Sequence, residues 1–387
     1  MGSMSGNAIS GLDYRNGRPV KVTFREGLIY DVHEVSLPVD QCRYIIAPGL
    51  VDLQVNGYAG IDLNGSSLKI DDIMHLTVRL WSEGVTSFFP TIITNSEENI
   101  LQSVRLLAEA CHVFPEAGNT IAGIHLEGPF ISPDQGPRGA HPADSVRPPD
   151  WDLFCRWQDA SMGMIKIITL SPEWPGTDDF IRKCVSSGVI VSIGHTSATP
   201  ESIRSAVEAG ATLSTHLGNA SHQLLPRHRN YIWEQLAAED LYITIISDGF
   251  HLPDAMMKVF LKVKPDKTIL VSDSTNFTGM LPGDYSTHIG GEVTLTDQGK
   301  LHIKGRPDVL AGSGLSLLHC VNTLIKKDLT TPGNGWEMAS VMPVKFVAPG
   351  KSHGLTKGAP ADIDILELTP SGYSLNKTIK AGNIVYS

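Results

Sequence analysis

The strongest constraint in this sequence is an alternation of short apolar runs with helix-like segments between residues 50 and 271. The runs are nearly continuous and mostly rich in Ile and Val, which is typical of parallel strands covered on both faces. There are eight of them, at residues 50–55, 85–90, 121–126, 164–170, 189–193, 211–215, 242–247 and 268–271. Eight strand–helix units predict a (β/α)8 TIM-type barrel.

The segments between the runs carry helix signals. Residues 71–83 place apolar side chains near helical spacing. Asn95 is predicted to cap the following helix, with Glu98 at the third helical position completing a capping box. Thr199 followed by Pro200 predicts a second helix start, with proline in the first turn.

Both chain ends lack this rhythm and show short alternating strands instead, such as 20–24 and 384–386. We expect them to pair into one small β-sandwich domain, built from residues 1–47 and 345–387. The barrel is then expected to occupy residues 48–344. The alternative is that the terminal strands only decorate the barrel.

Charge, apolar runs and cysteine spacing bear on the partners, membrane association and location expected for this chain. The net charge is −10, from 41 acidic and 31 basic residues, without a basic stripe, so no nucleic-acid partner is expected. The longest apolar runs have strand length, which predicts no membrane span or leader. The five cysteines form no CxxC pair, which indicates a reducing, cytoplasmic location rather than a disulfide framework.

Polar side chains follow several predicted strands at their carboxyl ends, where barrels of this type carry their active sites. At the end of the third strand, His125 and Glu127 alternate and therefore share one face. A buried carboxylate inside an apolar run is costly unless it is paired or binds a metal ion. This segment alone favours a structural salt bridge and a metal ligand equally.

His195 and His216 follow the fifth and sixth strands. Adjacent strands lie about 5 Å apart, so these imidazoles and Glu127 can converge on one ion. Three protein ligands with one position left for water are typical of catalytic zinc, which lowers the pKa of that water. Asp273 follows the eighth strand and can act as general base and acid, although an Asp there also fits a helix N-cap. The sequence has no GxSxG segment, so a serine hydrolase is unsupported.

The order of these segments resembles the N-acetylglucosamine-6-phosphate deacetylase family of the amidohydrolase superfamily. The likeness covers nearly the whole chain. The motifs that carry it are APGLVD at 47–52, HLEGP at 125–129, GHT at 194–196, THL at 215–217, DGFH at 248–251, SD at 272–273, LAGS at 310–313 and GAPAD at 358–362.

The resemblance implies roles for the residues at the strand ends. In the family, the residues that correspond to Glu127, His195 and His216 bind a divalent ion, and the one that corresponds to Asp273 is the general acid and base. His141 resembles the family histidine that lies over the substrate and polarises the acetyl carbonyl. The alternative for His141 is a loop histidine exposed to water.

The resemblance also bears on the number of metal ions. Most of the superfamily has a His-x-His pair after the first strand that serves a second ion, where this chain has Gln54 and Asn56. Amides are poor ligands for such an ion, so we expect one divalent ion per subunit. Zinc is the first expectation, but iron, cobalt and manganese also suit imidazole and carboxylate ligands.

Substrate contacts follow from the resemblance as well. The family's Asn-Ala pair and the His of its DGxH segment contact the sugar phosphate, which implies this role for Asn219, Ala220 and His251. An Arg from a neighbouring subunit binds the phosphate in the family. Arg227 or Arg229 corresponds to it, which implies a homodimer.

Residues 221–233 depart from the family, which usually continues from Asn-Ala into Met and a Gly-Arg segment. The leading hypothesis is metal-dependent hydrolysis of the N-acetyl group of N-acetylglucosamine-6-phosphate, giving glucosamine-6-phosphate and acetate. One alternative is a deacetylase of a different acetamido sugar or of an N-acyl amino acid. The other is a catalytically inactive barrel that acts as a binding module.

Overall fold

Strands and helices alternate along most of the chain in the computed structural model, which describes residues 7–38, 42–288 and 291–387. In chain order the strands are β1 (Asn7–Asp13), β2 (Pro19–Arg25), β3 (Leu28–Glu34), β4 (Tyr44–Pro48), β5 (Leu50–Val55), β6 (Gly57–Tyr58), β7 (Ile61–Asp62), β8 (Val85–Ile93), β9 (Ile124–Glu127), β10 (Ile165–Leu170), β11 (Ile190–Ile193), β12 (Leu213–Ser214), β13 (Tyr242–Ile245), β14 (Thr268–Leu270), β15 (Gly283–Thr287), β16 (Gly291–Leu295), β17 (Leu301–Ile303), β18 (Arg306–Leu310), β19 (Ile363–Thr369), β20 (Gly372–Lys380) and β21 (Asn383–Tyr386). The α-helices are α1 (Ile70–Trp81), α2 (Glu97–Val113), α3 (Pro115–Thr120), α4 (Trp151–Ala160), α5 (Thr177–Ser186), α6 (Pro200–Ala209), α7 (Tyr231–Ala237), α8 (Asp254–Val263), α9 (Leu317–Lys326), α10 (Pro332–Ala339) and α11 (Val341–Val347).

The predicted barrel is confirmed. Eight strands form one sheet in the order β14-β13-β12-β11-β10-β9-β8-β5, and each of the eight predicted runs overlaps one of them. The pairs from β8 to β14 are parallel. A parallel bridge joins Val55 at the end of β5 to Ser274 in the segment after β14, and the Asn56 amide donates to the Ser274 carbonyl at 2.8 Å. This closure brings the carboxyl ends of the strands into a ring.

Of the two helix N-caps predicted from the sequence, one is confirmed and the other is wrong. Thr199 caps α6 through a hydrogen bond from the Ser202 amide, as predicted. The predicted cap at Asn95 is wrong, because Ser96 caps α2 and accepts from the Asn99 amide. The Asn95 carboxamide oxygen accepts from the Ser96 amide instead. The cap therefore lies one residue later, and Glu98 does not occupy the third helical position.

Both chain ends build one seven-stranded sheet in the order β21-β20-β19-β4-β1-β2-β3. The sheet folds back on itself, because β3 also bonds to the residues just before β19. Ile29 donates to the Ala359 carbonyl at 2.8 Å, and Gly358 donates to the Ile29 carbonyl at 2.8 Å. The expectation of a small β-sandwich from both ends is confirmed.

Packing of the chain defines two compact units. One comprises Met1–Asp52, Thr77–Ser87 and Leu317–Ser387, and the other comprises Leu53–Leu76 and Phe88–Ser316. The predicted domain boundaries, 1–47 plus 345–387 and 48–344, stay a proposal. Within the described residues, the helices are all too short or too polar to cross a bilayer.

An antiparallel excursion after the last barrel strand was not foreseen from the sequence. Strands β15 to β18 form a four-stranded meander. Its small core consists of the buried side chains of Phe277, Val293, Leu295 and Leu301. These strands alternate apolar and polar residues only briefly, so their pattern is weak beside that of the barrel.

Asp364 is a carboxylate in an unexpected place, fully buried at the second residue of β19. The donors beside it are engaged elsewhere: the Thr378 hydroxyl donates to the Trp81 carbonyl, and the Leu50 amide donates to the Gly84 carbonyl. Among the described residues, neither carboxylate oxygen has a hydrogen-bond partner. Burial raises the pKa of Asp364 well above its usual value, which favours the protonated, neutral form in the folded protein.

This burial predicts a pH-dependent stability. The folded protein keeps a proton that the unfolded chain releases above a pKa of about 4, so the free energy of unfolding falls as the pH rises from there. We expect Asp364→Asn to stabilise the protein at pH 8 by about 1–3 kcal/mol and to flatten this dependence. Thermal unfolding at pH 5 and pH 8 measures it. A variant with the same pH dependence as the native chain would contradict the assignment.

Candidate active site

Four acidic or basic side chains meet at the carboxyl end of the barrel. Glu127 is the last residue of β9, His195 and His216 each lie two residues past a strand, and Asp273 follows β14. The last three have positive φ angles of 49°, 31° and 50°. A non-glycine residue in this region costs on the order of 1–3 kcal/mol, and such strain concentrates at functional sites. The strained turns direct these side chains inward across the ring.

Glu127, His195 and His216 form a tight buried cluster. Glu127 Oε1 lies 3.2 Å from His195 Nε2 and 3.1 Å from His216 Nε2, and the two imidazole nitrogens lie 3.0 Å apart. A point about 2 Å from all three atoms, the usual zinc–ligand distance, lies just off their plane. Burial alone raises the pKa of Glu127, but its hydrogen bonds with the two histidines bring it well below its usual value.

The donor set fits a divalent ion. His195 Nδ1 lies 3.0 Å from the Pro137 carbonyl, which can only accept, so Nδ1 carries a proton. Without an ion, Nε2 can donate to Glu127 Oε1; a bound cation would take the Nε2 lone pair in place of that hydrogen bond, with release of the proton. Metal-binding histidines typically donate their other nitrogen to a carbonyl in this way.

A second group of possible ligands shares two members with the first. Ligand atoms of Glu127, His141 and His195 all lie within 4.8 Å of one another. The set that contains His216 is tighter, because its three atoms lie within 3.2 Å of one another. His141 Nδ1 is also engaged by the Thr94 hydroxyl at 2.7 Å. We therefore favour His216 as the third ligand and leave His141 free for another role.

Asp273 is held beside this cluster by two amides. Its Oδ1 accepts from Gln54 Nε2 at 3.0 Å and from Asn56 Nδ2 at 2.7 Å, which leaves Oδ2 free of both amides. Gln54 Nε2 also donates to Glu127 Oε1 at 2.9 Å and so bridges the two carboxylates. Burial and the nearby Glu127 charge raise the pKa of Asp273 to about 6. A carboxyl with this pKa can take up and release a proton near neutral pH.

His141 lies over the cluster, with its ring centroid 4.3 Å from that of His195. Burial, helped by His195, lowers the pKa of His141 to about 3, so the ring is neutral. When Thr94 donates to Nδ1, Nε2 carries the proton and can donate to a bound oxygen. The expectation of a loop histidine exposed to water is wrong, because His141 is 9% exposed.

The predicted substrate residues at the rim fall into two places. Asn219 and Ala220 line a narrow crevice with His195. His251 Nδ1 lies 2.8 Å from Asp248 Oδ2, and this buried pair keeps the pKa of Asp248 below its usual value despite its burial. His251 also acts electrostatically on Asp273. The Asn219–Ala220 pair and His251 therefore border the cluster of Glu127, His195 and His216. Their contact with substrate stays a prediction.

The two candidate arginines do not join the cluster within this chain. Arg227 is exposed and has no ion-pair partner in the part of the chain that the structure describes. Arg229 is exposed and pairs with Glu201 on α6. Of the two, Arg227 has the guanidinium that is available to an anion.

Thr94 and Pro137 are the contacts that the sequence analysis missed. Thr94 follows β8, which ends at Ile93 rather than at residue 90 as predicted. Because the predicted strand ended three residues too early, Thr94 was not recognised as a polar side chain at a strand end. That feature identified the other site residues. Pro137 acts through its carbonyl, so its side chain gives no signal.

A parallel barrel with buried carboxylate and imidazole groups at the carboxyl ends of its strands is an architecture suited to metal-dependent hydrolysis. The family described as "Amidohydrolase family" matches residues 45–385. An N-acetylglucosamine-6-phosphate deacetylase from Bacillus subtilis (strain 168) is 36% identical over 276 residues, which cover 69% of this chain and 68% of that protein. The enzyme of the same name from Bos taurus is 30% identical over 91% of this chain and 86% of its own length.

A solved structure extends the similarity to the whole chain. A mutant N-acetyl-D-glucosamine-6-phosphate deacetylase from Mycobacterium smegmatis, in complex with N-acetyl-D-glucosamine-6-phosphate, superposes with a TM-score of 0.86 at 25% identity. The match covers 99% of this chain and 100% of that one. The chain therefore belongs to the amidohydrolase family and, within it, to the N-acetylglucosamine-6-phosphate deacetylases.

Proposed function

We propose that this chain hydrolyses N-acetylglucosamine-6-phosphate to glucosamine-6-phosphate and acetate. The observation that carries the proposal is the buried cluster of Glu127, His195 and His216 with Asp273 beside it. The similar proteins from Bos taurus and Mycobacterium smegmatis, matched over 86% and 100% of their lengths, are named for that reaction. A binding module would not need four ionisable groups buried at one barrel mouth.

We assign the three ligands of one divalent ion to Glu127, His195 and His216. Such an ion supplies Lewis acidity and lowers the pKa of a water molecule in its open coordination position. Zinc suits one carboxylate and two imidazoles, as iron, cobalt and manganese also do. Gln54 and Asn56 donate their amide N–H groups to Asp273, and Gln54 also donates to Glu127, which supports a site for one ion rather than two.

Asp273 moves the proton in the proposed reaction. With Oδ1 fixed by Gln54 and Asn56, Oδ2 can take a proton from the attacking water. The same oxygen then returns the proton to the nitrogen of the breaking C–N bond, so the amine leaves in neutral form. One carboxyl thus serves first as base and then as acid.

His141 acts on the other reacting atom, the acetyl oxygen. Its neutral ring can donate from Nε2 to the carbonyl, where negative charge develops as water attacks. Thr94 fixes the ring from the opposite side through Nδ1. A protonated ring would place an unneeded positive charge beside the cation, which the lowered pKa of His141 avoids.

We assign substrate binding to Asn219, Ala220 and His251, and phosphate binding to Arg227 of the partner subunit in a homodimer. The exposed, unpaired guanidinium of Arg227 supports this assignment, because Arg229 is already paired with Glu201. The five cysteines are all free, which supports a cytoplasmic location.

A substrate panel tests the proposed function. Acetate release is measured with N-acetylglucosamine carrying or lacking the 6-phosphate, with other acetamido sugars and with N-acyl amino acids. We expect the phosphorylated sugar to be hydrolysed fastest, with loss of activity on chelation and recovery on addition of zinc. Release of acid only from N-acyl amino acids would assign a different amide hydrolase.

The phosphate contact gives a separate prediction. Arg227→Ala is expected to raise KM for the phosphorylated sugar about 10- to 100-fold, because a charge-assisted contact contributes about 1.5–3 kcal/mol. Steady-state kinetics on the sugar with and without the phosphate measure this. Arg229→Ala is the matched control and should leave KM nearly unchanged. An equal rise in KM for the sugars with and without the phosphate would show that Arg227 does not bind the phosphate.

A further inference from the structure

A further carboxylate, that of Glu173, lies near the site but outside the groups described so far. Glu173 follows β10, in the loop that leads to α5. Its Oε1 accepts from the Ser132 hydroxyl at 2.9 Å. Its Oε2 accepts from both the amide and the hydroxyl of Ser197 at 2.8 Å each, and lies 2.6 Å from the Ser171 hydroxyl. One side chain therefore connects the loops that follow three neighbouring strands, β9, β10 and β11.

The serines around Glu173 contact the backbone carbonyl of His195 and the two residues that follow it. The Ser132 amide donates to the His195 carbonyl at 2.8 Å. Ser197 lies two residues after His195, and the Ser171 hydroxyl lies 2.7 Å from that of Thr196, the residue between them. The Glu173 network thus holds the His195 carbonyl and the two residues that follow the strained turn.

This arrangement matters because His195 has a φ of 49°. A residue other than glycine keeps a left-handed backbone conformation only where several surrounding contacts hold it there. Ser132 and Ser171 are fully buried, so their hydroxyls depend on protein acceptors rather than on water. Removing the carboxylate takes away the acceptor that Ser132, Ser171 and Ser197 share and leaves only the weaker hydroxyl–hydroxyl contacts to hold the turn.

We propose that Glu173 is a positioning residue that holds His195 in the conformation required to bind the metal ion. The proposal rests on the proposed function, since it takes His195 as a ligand. The hydrogen bonds of Glu173 to the described residues go to serines and not to the three proposed ligands. Glu173 acts through Ser132 and Ser197 on the His195 backbone, and the orientation of Nε2 follows from that.

The experiment measures metal binding directly. Zinc is removed by chelation, and the affinity for added zinc and the visible spectrum of the cobalt(II) form are compared between the native chain and variants. We expect Glu173→Ala to weaken zinc binding about 10- to 100-fold, as loss of residues that support metal ligands does elsewhere, and to shift the cobalt bands. Glu173→Gln should recover most of the affinity, since its amide can accept from the Ser197 amide and donate to the Ser132 hydroxyl.

Asp178→Asn is the matched control. Asp178 lines the same cavity of about 630 Å³ as Glu173 and accepts from the Ser205 hydroxyl, but it has no hydrogen bond to the loops around His195. Its variant should keep native zinc affinity and the native cobalt spectrum, even if its Tm falls as far as that of Glu173→Ala. If Glu173→Ala does not fold, Ser132→Ala removes one arm of the network and should weaken zinc binding by a smaller factor.

Two outcomes separate this inference from the function on which it rests. A native chain that binds neither zinc nor cobalt contradicts the proposed function itself. A native chain that binds both, with Glu173→Ala unchanged in affinity and spectrum, overturns the role of Glu173 alone.

Discussion

Replacing Asp273 by Asn is expected to lower kcat for acetate release by about 10²- to 10⁴-fold, the usual contribution of a positioned general acid–base group. An Asn side chain keeps the size and can still accept from Gln54 and Asn56 through its oxygen. It can neither take the proton from water nor return it to the leaving nitrogen. KM should change little, because the substitution removes a group that acts mainly in the transition state.

Metal content distinguishes this chemical loss from damage to the site. Asp273 is not one of the proposed ligands, so the Asn variant should bind one equivalent of zinc with near-native affinity. Elemental analysis and the Tm of the variant provide these controls. An Asn variant that retains more than about a tenth of native kcat would exclude Asp273 as the general base, since such a group contributes at least about 100-fold.

The barrel was predictable because its strands are covered on both faces and read as continuous apolar runs. All eight runs overlap a barrel strand, although the ends differ by up to three residues. Polar residues at those ends were predictable for the same reason, since an apolar run that stops at a histidine or a carboxylate stands out. Glu127, His195 and Asp273 were found in this way, and the structure brings them together.

Other parts of the site depend on contacts that no local pattern carries. Thr94 is one polar residue among many, and its role comes only from its 2.7 Å contact with His141. The connection between Glu173 and His195 is made by loops that follow three different strands, so the spacing of residues along the chain gives no sign of it. Asp364 is one polar residue in a short apolar segment, with no sign in the sequence that it is fully buried. Its environment is set by tertiary packing alone.

The two possible ligand sets make opposite predictions for two histidines. His216→Ala removes one of three proposed ligands, so its zinc affinity should fall by more than about 100-fold, beyond the range typical for residues that only support ligands. His141→Ala should keep zinc within a few-fold of native affinity, because its proposed partner is the acetyl oxygen. The same variant should lose about 10²- to 10³-fold in kcat, the usual effect of removing one donor to a developing oxyanion.

The two variants serve as controls for each other, since both remove a buried imidazole beside His195. Zinc affinity by competition with a chelator and kcat at saturating zinc are measured on each. If zinc is lost from His141→Ala and retained by His216→Ala, the ion belongs to the set of Glu127, His141 and His195 instead. His216 would then be the candidate for contact with the acetyl group. Loss of zinc from both variants would mean that all three imidazoles bind the ion together with Glu127, which closes the position that the proposed reaction leaves for water.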